Sequence, residues 1–184
     1  AFFCDKNLCH FFNTPNEKSK PGYLKMGWEE AGKLPIRISV RRPLNILKNL
    51  ARGGSKTDTP GSREHQNKTE IALRNPTISQ LIAGRPHLSK LMATDITPEY
   101  LNWRYVQVPV AKYIVFVDEG KKQIDALIIG RLKASRFGVE FRVTDSFTSL
   151  CYDRDRLRQL LLDNARKLGA DYLTASGLLA AEAG

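Results

Sequence analysis

Acidic side chains are in deficit in this chain: 19 Asp and Glu stand against 29 Lys and Arg over 184 residues, a net charge of +10. Such a balance leaves nucleic acid, an anionic membrane surface or a phosphorylated ligand open as partner, and it says nothing about fold. Cysteine is sparse too. Cys4, Cys9 and Cys151 are odd in number and match no framework spacing, which excludes a disulfide scaffold and points to a reducing, cytoplasmic setting. Cys4, Cys9 and His10 lack a fourth partner for a zinc site, so no metal is expected, and His10 beside an aromatic run reads as a packed histidine. No run of about 18 apolar residues exists, which excludes a spanning helix. The first residues show no basic segment followed by an apolar core, the pattern of a signal peptide.

The chain does hold enough apolar material for a folded domain: 42% hydrophobic and 9% aromatic residues, more than a disordered chain carries. It opens inside an apolar run, "AFFCDKNLCHFF", and closes on "LLAAEAG". Both ends read as cuts through a longer protein. Between them the sequence divides into three zones.

Residues 1–40 form the first. "LCHFF" reads as a short aromatic strand, "NTPN" as a turn, and Lys20 to Met26 as two helical turns. Ser19 is the expected N-cap, Pro21 sits where no backbone donor is needed, and Gly27 is the left-handed stop. "KLPIRISV" reads as a strand. Residues 41–70 read as a basic, flexible linker, because "GGSKTDTPGSREHQNKTE" offers almost no large apolar side chain. Rapid amide exchange is expected from Gly53 to Glu70. Between Ala31 and Thr57 there are seven basic residues and no acidic one. No aromatics are interleaved with them for base stacking, so a nucleic-acid patch is the lesser reading.

Residues 71–184 form the longer folded piece. "TPEYLNWRY" begins with Thr97 as N-cap and Pro98 at the first helical position. "KYIVFVD", "QIDALIIGRLK" and "GVEFRVTDSF" read as three strands in an antiparallel meander. "DRDRLRQLLLDNARKLG" carries Leu157, Leu160, Leu161 and Leu168 on one face of a helix, and "ADYLTASG" is a further strand. The fold class is therefore α/β or α+β, a mixed sheet flanked by helices.

One stretch carries more than structure. After "HFFNTPN" come Asn16, Ser19, Tyr23, Lys25, Gly27 and Trp28, and this spacing resembles the end of a GNAT-type N-acyltransferase domain. In that family a strand runs into Asn, a small residue stands three positions later, and a Tyr seven positions on opens a helix ending in a "YxKxGF"-like segment. Here Ser replaces the usual Ala, and Trp the usual Phe. The resemblance implies acetyl-CoA as acyl donor, Tyr23 as the general acid, and Asn16 and Ser19 as cofactor contacts. The chemistry fits the residue types. Acyl transfer to an amine expels a thiolate, and a phenol placed at the sulfur can donate a proton as the C–S bond breaks. A plain structural reading competes, with Tyr23 packing under the sheet and Asn16 serving a turn.

The third zone is similar to the family through its element order, and "NWRY" and "FGVEFRVTD" look like the second lobe of tandem GNAT-like proteins. Those proteins imply a small-molecule or saccharide amine as acceptor, such as an amino sugar or polysaccharide precursor. The family's diphosphate loop, "[RQ]xxGx[GA]", is missing. The chain has "SFTSLCYDRDRL" in its place, and "RKLGAD" ends a helix instead of opening one. The expectation is one incomplete lobe, a linker, and a second, cofactor-poor lobe. Trp103, Arg104 and Tyr105 either line an acceptor pocket or pack a helix end. Asp145 either binds the acceptor amine or ends its strand as a turn residue. The rival functions are a non-catalytic GNAT-like scaffold and a basic nucleic-acid module. The sequence leaves the oligomeric state open.

Overall fold

A computed structural model describes residues 13–53, 69–83, 94–107, 111–120 and 123–176. The chain forms two compact units, Ala1–Lys33 and Leu34–Gly184.

In the first unit, helix α1 spans Lys20–Lys25 with Pro21 in its first turn. Gly27 stands just beyond it at φ 85°, the left-handed stop expected from the sequence. The cap differs from expectation. Ser19 has helical backbone angles and its side chain makes no capping bond to α1. Asn16 organises the start instead: its Oδ1 accepts from the N–H of Lys18 at 3.0 Å and of Ser19 at 2.9 Å. An asparagine two or three residues ahead of free N–H groups competes well for them, and here it takes the role assigned to the serine. The expected strand "LCHFF", with Cys4, Cys9 and His10, lies outside the described residues.

The second unit is built on a five-stranded mixed sheet. In chain order come β1 (Ile36–Val40), α2 (Pro43–Ala51), α3 (Thr77–Ala83), α4 (Pro98–Asn102) with a π-helical turn (Trp103–Gln107), β2 (Ile114–Glu119), β3 (Ile124–Ser135), β4 (Gly138–Thr148), α5 (Arg154–Lys167) and β5 (Tyr172–Ser176). The strand order is β1-β5-β4-β3-β2. The antiparallel meander β2-β3-β4, the helix after it and the strand that follows stand where the sequence pattern puts them, and the structure adds that this last strand pairs parallel with β4. So does the Thr97 cap, whose Oγ1 accepts from the Tyr100 N–H at 3.1 Å.

Burial explains the layering. β3 carries the run "ALIIG", buried throughout, as a central strand covered on both faces must be. Leu127 and Ile129 point to one side, against Ile78 and Leu81 of α3 and Leu101 and Tyr105 of the α4 segment. Ile128 points to the other, with Phe141, Val143, Leu173 and the leucines of α5. Helix α5 ends in a Schellman motif: the Gly169 N–H donates to Arg166 O and the Ala170 N–H to Ala165 O, both at 3.0 Å, with Gly169 at φ 72°.

Two findings bear on the chain's organisation. Strand β1, read from sequence as the close of the first lobe, pairs antiparallel with β5 across Ile36–Ser176 to Val40–Tyr172. The stretch read as linker opens with helix α2, whose Asn45 donates to Asp171 at 3.2 Å and Asn49 to the Phe137 carbonyl at 3.4 Å. At its far end Thr69 is buried, and its hydroxyl donates to the Tyr113 carbonyl at 2.9 Å. Pro43 at a helix start, with Leu44, Ile46, Leu47 and Leu50 after it, is a helix pattern that the basic composition obscures. Residues 54–68 of the expected linker lie outside the described residues.

Candidate functional site

In the first unit, Tyr23 is half-buried within α1. Its ring meets Trp28 edge to face, with centroids 5.2 Å apart and planes at 74°, an arrangement favoured by the ring quadrupoles. Nothing ties down its hydroxyl among the described residues. Asn16 and Ser19 are turned on each other: the Ser19 hydroxyl donates to Asn16 Oδ1 at 3.0 Å and accepts from the Asn16 N–H at 3.2 Å. This small loop sets the position of α1, and through it the position of the phenol. Lys20 pairs with Glu30 at 2.6 Å on the surface of the unit.

In the second unit the informative place is the gap between β4 and β5. Their parallel pairing covers only Glu140–Tyr172, Phe141–Leu173 and Arg142–Thr174. Beyond that point β4 continues to Thr148 and β5 to Ser176, unpaired with each other. Side chains tie the paired stretch, the buried Glu140 at their centre. The Thr174 hydroxyl donates to Glu140, and Arg142 Nε donates to the same carboxylate at 2.9 Å. Just after it, β4 bulges. Ile129 faces Asp145 and Gly130 faces Val143, leaving Thr144 as the extra residue, with its hydroxyl on the Ile129 carbonyl at 2.9 Å. A bulge bends its strand and re-aims the residues beyond it, and the β4–β5 pairing stops just before this one.

A cavity of about 90 Å³ lies between α5 and the face of the sheet, at the place where β4 and β5 part. Val143 and Ser146 of β4, Leu173 to Ala175 of β5, and Leu157 and Leu161 of α5 line it. Three arginines line it as well: Arg37 from β1, and Arg154 and Arg158 from the first turns of α5. None of the three has a salt bridge among the described residues. The floor is apolar and the charged groups are guanidinium, a combination suited to a ligand with an apolar arm and an anionic head. The N-terminus of α5 is occupied by its own chain, since Asp153 Oδ1 accepts from the Asp155 N–H at 3.0 Å. The start of α5 is also tethered to β2: Tyr152 donates to Asp118, and Arg156 Nε lies 2.7 Å from the same carboxylate.

The triplet Trp103, Arg104 and Tyr105 divides. Tyr105 is buried, in edge-to-face contact with Tyr113 at 4.7 Å. Its hydroxyl donates to Asp145 and accepts from Arg104 Nε, the latter at 3.2 Å. Trp103 is exposed, stacked only loosely on Tyr100 at 5.9 Å. None of the three lines the cavity. Asp145 is not a turn residue: it sits inside β4, at the bulge. The turn expected at "VTD" is absent because β3 and β4 go on pairing past it, to Ala126–Thr148.

Burial first, and then the Asp145 carboxylate beside it, push the Tyr105 phenol well above the ordinary tyrosine range. A raised folded-state pKa means that the folded protein keeps a proton the unfolded chain releases at about pH 10. The associated stability is complete below about pH 10 and is lost as pH rises above it. We expect ΔG of unfolding to fall by up to about 1.4 kcal/mol per pH unit from this group above about pH 10. Tyr105→Phe should flatten that decline and cost about 1–3 kcal/mol at neutral pH, because it removes a buried hydrogen bond to Asp145. Urea unfolding of both proteins from neutral to strongly alkaline pH measures it.

The residues that sequence reading missed are those lining the cavity. Arg154 and Arg158 are spaced one helical turn apart, beside Leu157 and Leu161, and that spacing was a usable signal. Arg37 carries no such signal, because only the pairing of β1 with β5 brings it there. Among the described residues, no group of three or more His, Cys, Asp and Glu side chains could hold a metal, and no helix is long and apolar enough to cross a membrane. No protein-family model matches this chain, and no curated protein matches it.

Proposed function

We propose that the protein is a GNAT-like N-acyltransferase that takes an acyl group from acetyl-CoA to an amine, with amino sugars or polysaccharide precursors as the acceptor class. The observation that carries this reading is the parting of β4 and β5 after Arg142–Thr174, with a lined cavity in the gap. In the family that the Asn16–Trp28 stretch resembles, the strand before that helix splays from its neighbour and the pantetheine arm lies in the gap; the parted β4 and β5 offer a groove of the same type within the second unit. The element order on either side of the gap, meander, helix and parallel strand, supports it further.

Acetyl-CoA supplies a thioester carbonyl open to attack. The amine forms the new C–N bond and the C–S bond breaks. In the first unit, the resemblance assigns the Tyr23 phenol the role of giving a proton to a departing sulfur. Asn16 and Ser19 act behind it by fixing the start of α1. In the second unit, taken by itself, apolar side chains such as Val143, Leu157 and Leu161 would keep water from a pantetheine arm in the gap.

The test is release of free thiol from acetyl-CoA in the presence of a panel of amines, amino sugars included. The reading expects acceptor-dependent thiol release. Binding of acetyl-CoA without release for any acceptor would make the chain a scaffold, and absence of both would overturn the reading.

A further inference from the structure

The family's diphosphate loop is missing from this chain, and the N-terminus of α5, where that loop would lead, is capped by the chain's own Asp153. Backbone N–H groups therefore have no glycine-opened cradle to offer a phosphate there. Yet three arginines, Arg37, Arg154 and Arg158, are among the residues that line the gap beside that helix. They come from two elements that meet only because β1 pairs with β5. Arg37 faces the gap from the same side of the sheet as Leu173 and Ala175, since it pairs with Ala175 across the ladder. Arg154 and Arg158 stand one turn apart on α5, on the face that carries Leu157 and Leu161.

We propose that the second unit holds the phosphate groups of its ligand by these three arginine side chains, with the apolar arm of the same ligand laid along Val143, Leu157 and Leu161. The ligand class is a phosphorylated pantetheine thioester. This rests on the acyl-CoA reading of the gap and replaces the cofactor-poor lobe expected from the sequence by a lobe with a side-chain anion site. Three properties favour it. The guanidinium groups have no carboxylate partner among the described residues. The planar fork of arginine matches phosphate oxygens two at a time. The lining between them is apolar, so the bound head and arm would be chemically distinct, as they are in phosphopantetheine. Of the nearest acids on the helix, Asp153 has its Oδ1 on the Asp155 N–H.

The experiment is calorimetric titration of CoA, and separately of pantetheine, which lacks every phosphate. The proteins are the wild type, the double variant Arg154→Gln/Arg158→Gln and the single variant Arg37→Gln. Thermal melting confirms that each is folded, and Arg154→Lys/Arg158→Lys, which keeps the charge, guards against a packing effect. We expect CoA affinity to fall about tenfold or more in the double variant and several-fold in Arg37→Gln, with pantetheine binding unchanged. CoA affinity in the wild type should also weaken as salt is raised. Wild-type CoA affinity in all the glutamine variants would overturn the arginine site while leaving the acyl-CoA reading intact. A wild type that binds neither CoA nor pantetheine would overturn both.

Discussion

On the proposed acyltransferase reading, Tyr23→Phe is expected to lower turnover by about 10²–10⁴-fold, the usual size of an acid contribution. The substitution keeps the ring, and with it the edge-to-face contact with Trp28. It removes only a hydroxyl that is tied to nothing among the described residues. Stability should therefore change by less than about 1 kcal/mol, the net worth of an ordinary hydrogen bond. The Michaelis constant for acetyl-CoA should move little, because a proton donor to the leaving thiolate acts in the transition state and not in the ground state. Steady-state kinetics with a melting curve on the same samples decides the matter. Unchanged turnover would remove Tyr23 from the mechanism. Loss of fold would return the hydroxyl to a structural role.

Phe141→Ala should cost about 3–5 kcal/mol, the range for a large buried aromatic. The ring is fully buried in the core beneath α5 and packs on Phe116 at 5.4 Å between centroids. It also lies over Gly130 of the neighbouring strand, where an added Cβ would come within 2.4 Å of its Cζ and 2.7 Å of the Arg142 carbonyl. Gly130 and Phe141 thus fit as a pair, and Gly130→Ala should itself cost about 1–3 kcal/mol through overpacking. Since a domain of this kind has only about 5–15 kcal/mol in hand, the phenylalanine change takes a large share of it. Urea unfolding at neutral pH reads both values. A cost under about 1 kcal/mol for Phe141→Ala would mean that the ring does not sit in the packed layer between sheet and α5.

Local pattern made much of the fold legible. The meander, α5 and β5 each carry their own periodicity and their own stop, so short windows of sequence sufficed. The Thr97–Pro98 start and the Gly169 stop were likewise written in adjacent residues. The features hidden from the sequence depend on pairs far apart in the chain. β1 shows strand composition, but nothing in "IRISV" says that its partner is "YLTAS". The bulge at Thr144 is a one-residue mismatch between two strands, and it is visible in neither strand alone. A local reading misplaces Asp145 for that reason. The helix α2 is hidden by composition, because its basic and asparagine residues resemble a solvated connector while its leucines keep helical spacing. The site divides in the same way. Asn16, Ser19 and Tyr23 can be picked out from spacing within one stretch. The cavity cannot, because its lining comes from β1, β3, β4, α5 and β5, and the parting of two strands leaves no mark on either.

The central claim is that the gap between β4 and β5 is the donor groove of an acyltransferase. Titration of CoA into isotopically labelled protein, with backbone amide shifts as the readout, tests it most directly. The account predicts saturable shifts clustered at Val143 to Ser146, Arg154 to Arg158 and Leu173 to Ala175, with the far end of the sheet at Ile114 to Val117 unmoved. Shifts confined to residues outside the gap, or no shifts at saturating CoA, would contradict it.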